Sequence, residues 1–153
     1  MIVRLATEAD LEAIVAMSRA FYATTSYARF VSMSKDAVAA LTRSMMETGT
    51  MLVAEVDGRV VGMAGLFIAP FMFNHAVRTA HEVVWWVDPD ARKSGAGHAL
   101  LSAVEPACRA AGAVAIQMVH LSNSPPQAAA LYERMGYRFS ESCYTKELVQ
   151  WPQ

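Results

Sequence analysis

A short glycine-containing turn is the part of the sequence best suited to binding a ligand. Its residues are Arg92-Lys93-Ser94-Gly95-Ala96-Gly97, followed by His98, and it joins a strand-like run to a helix-like run. Glycines let the backbone approach a ligand closely because they carry no Cβ. The first N–H groups of a helix have no partner within the helix and attract anions. The turn therefore predicts a pyrophosphate-binding site.

Two better-known phosphate motifs do not fit this turn. A Walker loop requires Gly-Lys-Ser/Thr, whereas Gly97 is followed by His98. The dinucleotide fingerprint begins G-x-G-x-x-G, whereas position 92 holds Arg. The remaining alternative is a tight turn that needs two glycines and binds nothing.

A single carboxylate interrupts an apolar strand just before the turn. Glu82 lies in the run His81-Glu82-Val83-Val84-Trp85-Trp86-Val87. A carboxylate is costly in such surroundings unless it is paired or used, and burial raises its pKa towards the range of a general base. The alternative is an exposed or ion-paired Glu at a strand end. His81 faces the other way unless a bulge intervenes, and it remains a second candidate base.

The elements that must position these residues follow from periodicity and turn signals. Thr7 and Asp10 form a capping-box pattern for the first helix, Ser34 caps the second, and Asp57-Gly58 predicts a hairpin. The predicted helices are the one after Thr7 and those over residues 35–48, 94–111 and 128–135. The predicted strands cover residues 2–5, 50–56, 59–68, 78–87, 113–120, 137–140 and 143–148, with a loop over 69–77. This order predicts a mixed α/β sheet of about seven strands with four helices.

Two motifs together resemble the GNAT superfamily of acyl-CoA-dependent N-acyltransferases. The first is Val-x-Pro-x-x-Arg-x-x-Gly-x-Gly over residues 87–97, and the second is Leu-Tyr-Glu-Arg-Met-Gly-Tyr over residues 131–137. The opening strand, the helix that follows it and the Asp57-Gly58 hairpin are also typical of that family. The resemblance covers nearly the whole chain and implies one GNAT-like domain over residues 1–153.

The resemblance implies acetyl-CoA as cosubstrate and assigns the residues that hold it. The amides from Lys93 to Gly97 would bind the pyrophosphate, Arg92 would anchor the turn, and His98 lies on the same first helical turn. In the family the preceding strand carries a bulge and splays from its neighbour. The backbone of Trp85 and Val87 would therefore contact the pantetheine arm. Asn123 matches in kind an asparagine that hydrogen-bonds this arm.

The resemblance also implies the reaction, which is attack of a neutral amine on a thioester. The amine must lose a proton and the departing thiolate must gain one. Glu82, acting through water, is the leading candidate base, with His81 as the second. Tyr132 in the later motif is the candidate acid, and the alternative is a half-buried tyrosine that only packs the helix on the sheet.

Composition limits the class of protein. The chain has 153 residues and a formal net charge of −1, which disfavours a nucleic-acid partner. No apolar run reaches the roughly 18 residues of a membrane span, and no signal peptide is evident, so we expect a soluble, cytoplasmic protein. The two cysteines, Cys108 and Cys143, lack metal-ligand spacing, so we expect no metal site.

The sequence thus predicts an acetyl-CoA-dependent N-acetyltransferase acting on a primary amine of a small molecule or protein. The alternative is a catalytically inactive GNAT-fold module that binds CoA as a sensor or assembly part. The candidate acceptor pocket is aromatic with few charges, which argues against a polycationic acceptor. Its candidate residues are Tyr22, Tyr27, Phe30, Phe71, Phe73 and His75. Pairing of the final strands between subunits predicts a homodimer.

Overall fold

The computed structural model describes residues 1–148, and residues 149–153 of the predicted domain lie outside the described residues. A five-stranded mixed sheet forms the centre of the fold, with its strands in the spatial order β1-β2-β3-β4-β5. The strands are β1 (Ile2–Leu5), β2 (Thr50–Val56), β3 (Arg59–Phe71), β4 (Asn74–Val87) and β5 (Ala113–Gln117). Strands β1 to β4 pair antiparallel, and β5 pairs parallel to β4. The mixed α/β class is confirmed.

Within residues 1–148, four α-helices surround the sheet, in the predicted order. They are α1 (Leu11–Thr24), α2 (Lys35–Thr48), α3 (Ala96–Ala110) and α4 (Pro126–Arg134). Short 3-10 segments precede α1 and α3 and follow α1, at Glu8–Asp10, Pro89–Ser94 and Ser26–Arg29. The predicted caps are present: the Thr7 N–H donates to Asp10 at 2.8 Å, and the Ala37 N–H donates to Ser34 Oγ at 3.2 Å.

Helices cover both faces of the sheet. Leu100, Val104 and Cys108 of α3 are fully buried against one face. Ile14 and Met17 of α1 and Met45 of α2 are buried against the other face. The sheet is therefore sandwiched between α3 on one side and the α1–α2 pair on the other. Among residues 1–148, no helix is long and apolar enough to cross a membrane.

The predicted number of strands is wrong, because residues 137–140 and 143–148 form no strand. A strand needs a hydrogen-bonded partner and a buried face, and this segment is exposed: Phe139 is 85% and Tyr144 is 94% accessible. Side-chain contacts connect this segment to the rest of the fold instead. Gln117 Nε2 donates to Glu141 at 2.9 Å, and Arg29 pairs with Glu147 at 3.0 Å.

The predicted loop over residues 69–77 is also wrong, because β3 and β4 continue through it as a long hairpin. Pro70 still lies opposite Arg78, and the pairing becomes irregular between Pro70 and Phe71. A proline is accepted in a strand where the ladder is interrupted in this way. Strand β5 ends at Gln117, three residues before the predicted end at His120.

Candidate active site

A β-bulge in β4 sets which side chains share a face. Leu66 pairs with Glu82 and Gly65 pairs with Val84, so Val83 is the extra residue. Side chains normally alternate along a strand, which would put Glu82 and Trp86 on one face. With the bulge, Trp86 packs on the α1–α2 side of the sheet and Trp85 packs on the α3 side. Ala80, two residues before Glu82, also packs on the α3 side. The bulge therefore brings Glu82 and Trp85 to the same face.

Strands β4 and β5 separate just before this bulge. Their last paired residues are His81 and Gln117, whereas β4 continues along β3 to Val87. The separation leaves a cavity of about 590 Å³ between the end of β4, the start of α3, α4, the end of α1 and the loop after β5. The structure thus has both features that the family resemblance implies, the bulge in β4 and the slot where β4 splays from β5.

One peptide segment holds the candidate base and the candidate acid. The Val119 N–H donates to Glu82 Oε2 at 2.6 Å, and Tyr132 Oη donates to the Val119 carbonyl at 3.1 Å. The Tyr132 ring packs on the Trp85 ring with 5.3 Å between centroids. All of these residues line the cavity. The two groups are thus fixed side by side at its wall.

Burial sets the protonation of both groups. It raises the pKa of Glu82 to about 7, although the hydrogen bond from Val119 opposes the shift. Burial, together with the neighbouring Glu82 carboxylate, raises the pKa of Tyr132 well above its usual value. Near neutral pH, Glu82 can therefore accept a proton, while the Tyr132 phenol keeps its own.

The glycine turn provides an open helix N-terminus at the other end of the cavity. Gly95 precedes α3 with φ +87°, in the left-handed region that favours glycine, and a Cβ there would meet no atom within 4 Å. Ser94 Oγ accepts the Ala96 N–H at 3.3 Å. The next N–H groups, those of Gly97 and His98, have no intrahelical partner. An anion in front of this turn would meet these donors and the positive end of the helix dipole.

Arg92 ties the turn to the end of β4. Its Nε donates to the Val87 carbonyl at 3.2 Å, and its guanidinium lies 4.9 Å from the centroid of the Trp86 ring. Arg92, Gly95, Gly97 and His98 all line the cavity. Within the turn, the side chain of Ala96 is fully buried, whereas Lys93 and Ser94 are exposed. Ala96 can therefore contact a ligand only through its backbone.

The side chains of two predicted site residues make contacts with other parts of the protein. His81 is exposed, its Nε2 lies 2.8 Å from Thr79 Oγ1, and it does not line the cavity. The bulge falls after Glu82, so His81 still faces away from it. Asn123 lines the cavity, but its Nδ2 donates to the Thr24 carbonyl and links the loop after β5 to the end of α1.

The predicted acceptor aromatics are only partly brought together. Tyr27 lines the cavity, as does Phe21, which was not among the candidates. Phe71 and Phe73 pack on each other at the exposed tip of the β3–β4 hairpin, with 5.7 Å between centroids. The remaining candidates, Tyr22, Phe30 and His75, do not line the cavity.

Sequence reasoning missed further residues that contribute to the site, among them Val119 and Arg134. Val119 acts through its backbone, which leaves no trace in the residue type. Arg134 lies on the cavity side of α4 with Gln127 and Leu131, and this i, i+4, i+7 spacing was the available signal. Within residues 1–148, no group of three or more His, Cys, Asp or Glu side chains is arranged to hold a metal ion.

Comparisons with known proteins agree with this architecture. The sequence model of the Acetyltransferase (GNAT) family matches residues 15–137. No functionally curated protein shows significant sequence similarity to the chain.

Solved structures share the fold over nearly their whole length. An acetyltransferase of Trypanosoma brucei is 23% identical with a TM-score of 0.71, over 96% of this chain and 99% of that one. A ribosomal-protein-alanine N-acetyltransferase of Brucella melitensis is 16% identical with a TM-score of 0.74, over 95% and 99%. The enzyme AAC(6')-Iy, bound to the bisubstrate analogue CoA-S-monomethyl-acetylneamine, is 15% identical with a TM-score of 0.74, over 95% of both chains.

Proposed function

The chain belongs to the acetyltransferase (GNAT) family, and we propose that it moves an acetyl group from acetyl-CoA to a primary amine of a small molecule or protein. One observation carries the proposal. Glu82, with a pKa of about 7, and the protonated Tyr132 are held on the same residue, Val119, at the wall of a cavity that opens onto a helix N-terminus.

The acetyl-CoA would bind along the cavity. The backbone from Lys93 to Gly97 and the N–H of His98 would contact the pyrophosphate, with Arg92 keeping the turn in place. Beyond the bulge, β4 has no partner on the β5 side, so the backbone of Trp85 and Val87 is available to the pantetheine arm. Asn123 would have to release the Thr24 carbonyl to reach this arm.

The reaction would then be a direct transfer. Glu82, through a water molecule, takes a proton from the ammonium form of the acceptor. The neutral amine attacks the thioester carbonyl, so that a C–N bond forms and the C–S bond breaks. Glu82 passes that first proton on to solvent. Tyr132 gives its proton to the departing thiolate, and the second amine proton, released as the amide forms, returns to Tyr132. His81 is not proposed as the base because it faces away from the cavity.

Binding and turnover can be tested separately. Calorimetric titration with acetyl-CoA and CoA tests the cavity, and we expect micromolar binding. Amine-dependent release of CoA, followed with a thiol reagent, tests transfer. Cys143 is a free, exposed thiol, so the assay needs the Cys143→Ser variant. Release without an amine would show thioester hydrolysis. Binding without release would support the alternative of an inactive CoA-binding module.

Replacing Tyr132 by Phe is expected to lower kcat by about 10-fold or more while the Kd of acetyl-CoA stays nearly unchanged. The phenol is the proposed proton donor, whereas the ring that packs on Trp85 is retained. Loss of its hydrogen bond to Val119 should cost about 1 kcal/mol of unfolding free energy. The matched control is Tyr137→Phe, because Tyr137 packs on Tyr132 at 5.7 Å but does not line the cavity. Full activity of Tyr132→Phe would make Tyr132 structural.

A further inference from the structure

Apolar side chains dominate one wall of the cavity, which α1, the 3-10 segment after it, the β4 bulge and the loop after β5 contribute. Phe21 and Tyr27 line it from α1 and the 3-10 segment after it, and Val83 and Leu121 line it from the bulge and the loop after β5. Thr24 also lines it, but its hydroxyl donates to the Phe21 carbonyl at 2.7 Å. Asn123 and Ser124 line it too, but Asn123 donates to the Thr24 carbonyl and Ser124 Oγ accepts the Leu121 N–H. Apart from the Tyr27 hydroxyl, the polar side chains of this wall are therefore already bound within the protein.

The cavity also holds almost no negative charge. Glu82 is the one acidic side chain that lines it among residues 1–148. Glu147, in the segment that pairs with the 3-10 turn after α1, is already bound to Arg29 at 3.0 Å. The basic side chains Arg92 and Arg134 line the cavity as well. Among the described residues, only Glu82 could compensate an acceptor cation.

Arg92, at the glycine-turn end of the cavity, offers no partner to a second ammonium group. Its guanidinium lies 4.9 Å from the centroid of the Trp86 ring, and that ring contacts Phe21 with 6.0 Å between centroids. A second ammonium group on the acceptor would therefore meet apolar side chains and no second carboxylate among the described residues that line the cavity. Burying an unpaired charge is unfavourable, and specificity often depends on such mismatches.

We propose that the acceptor is a monoamine carried on an apolar or aromatic group, and that compounds with several amino groups are poor acceptors. The proposal rests on the transferase function proposed above. The single ammonium would be placed beside Glu82 and deprotonated there, and the rest of the molecule would pack against Phe21, Tyr27 and Leu121.

The direct test compares kcat/KM for 1-aminohexane and 1,6-diaminohexane, which differ only in a second amino group that is charged at pH 7. We expect the monoamine to be preferred by about 100-fold. We also expect 2-phenylethylamine to be a good acceptor and spermidine a poor one.

A charge substitution in the wall tests the cause. Leu121→Glu would add a carboxylate, and Leu121→Gln is its neutral control. The backbone N–H of Leu121 donates to Ser124 Oγ at 3.0 Å and is kept in both variants. Relative to the Gln variant, the Glu variant should shift the preference towards 1,6-diaminohexane by about 10-fold. An unchanged preference would show that this wall does not select the acceptor.

The outcomes separate the two proposals. If none of the four amines releases CoA although acetyl-CoA binds, the monoamine proposal is overturned, and the result favours a protein amine as acceptor or the inactive CoA-binding module. If turnover occurs but 1,6-diaminohexane or spermidine is the better acceptor, transfer stands and the monoamine proposal is overturned.

Discussion

Replacing Glu82 by Gln is expected to lower kcat/KM by about 10²- to 10³-fold without making the protein less stable at pH 8. Gln cannot accept the proton of the acceptor amine. It does keep a side-chain oxygen that can accept the Val119 N–H, which donates to Glu82 at 2.6 Å. Position and packing are therefore preserved while the base is removed.

The stability expectation follows from the pKa of Glu82. Burial raises it from 4.5 to about 7 in the folded protein. The folded state therefore binds the proton more tightly than the unfolded state does. The contribution of Glu82 to stability is fully present below about pH 4.5 and is lost as the pH rises towards 7, by about 3 kcal/mol. Gln carries no charge, so the variant should not show this loss.

Two measurements test the role of Glu82. The pH dependence of kcat/KM should show an apparent pKa near 7 in the wild type and lose it in Glu82→Gln. Urea unfolding at pH 5 and pH 8 should show a smaller decrease in unfolding free energy for the variant. Glu133→Gln is the control, because Glu133 is exposed and lies outside the cavity. An active Glu82→Gln enzyme would exclude Glu82 as the base.

Local sequence patterns were enough to predict the groups at the two ends of the cavity. Glu82 stands alone among apolar residues, and from this its burial and its raised pKa were expected and are found. Gly95 follows a strand and opens a helix, and the structure places it in the left-handed region at the start of α3. In both cases the determining features lie within a few residues of the chain.

The link between Glu82 and Tyr132 could not be predicted in the same way. It depends on Val119, which is 37 residues from Glu82 and contacts it through the main chain. Any residue except proline provides the same N–H and carbonyl groups, so the identity of Val119 gives no indication of this role. Family resemblance, and not the local pattern, was needed to expect the bulge and the slot.

The strand predictions failed where local pattern and tertiary contacts disagree. Pro70 and the nearby Asn74 and His75 favoured a loop, yet the strands pair through this segment because the irregularity at Pro70 accommodates the proline. In the segment after Gly136 the apolar residues favoured strands, but Phe139 and Tyr144 are not buried by any neighbour. Periodicity indicates which face could be buried; it does not supply the partner that buries it.

Replacing Gly95 by Glu is expected to weaken acetyl-CoA binding by about 100-fold or more and to leave the fold intact. A Cβ at Gly95 would meet no atom within 4 Å, so the new side chain points into the open space at the start of α3. Its carboxylate would occupy the helix N-terminus in place of a phosphate and would repel the pyrophosphate. About 100-fold corresponds to about 2.7 kcal/mol.

The backbone strain of this substitution can be separated from its effect on the ligand. Gly95 has φ +87° and Gly112, at the other end of α3, has φ +84°. A Cβ at Gly112 also meets nothing within 4 Å. Gly95→Glu and Gly112→Glu therefore carry a similar conformational cost of about 1 kcal/mol, but Gly112 does not line the cavity. Calorimetric titration should show weakened binding only for Gly95→Glu. Normal binding by that variant would mean that the turn after β4 does not hold the pyrophosphate, and loss of binding by both would mean that the damage is to the helix itself.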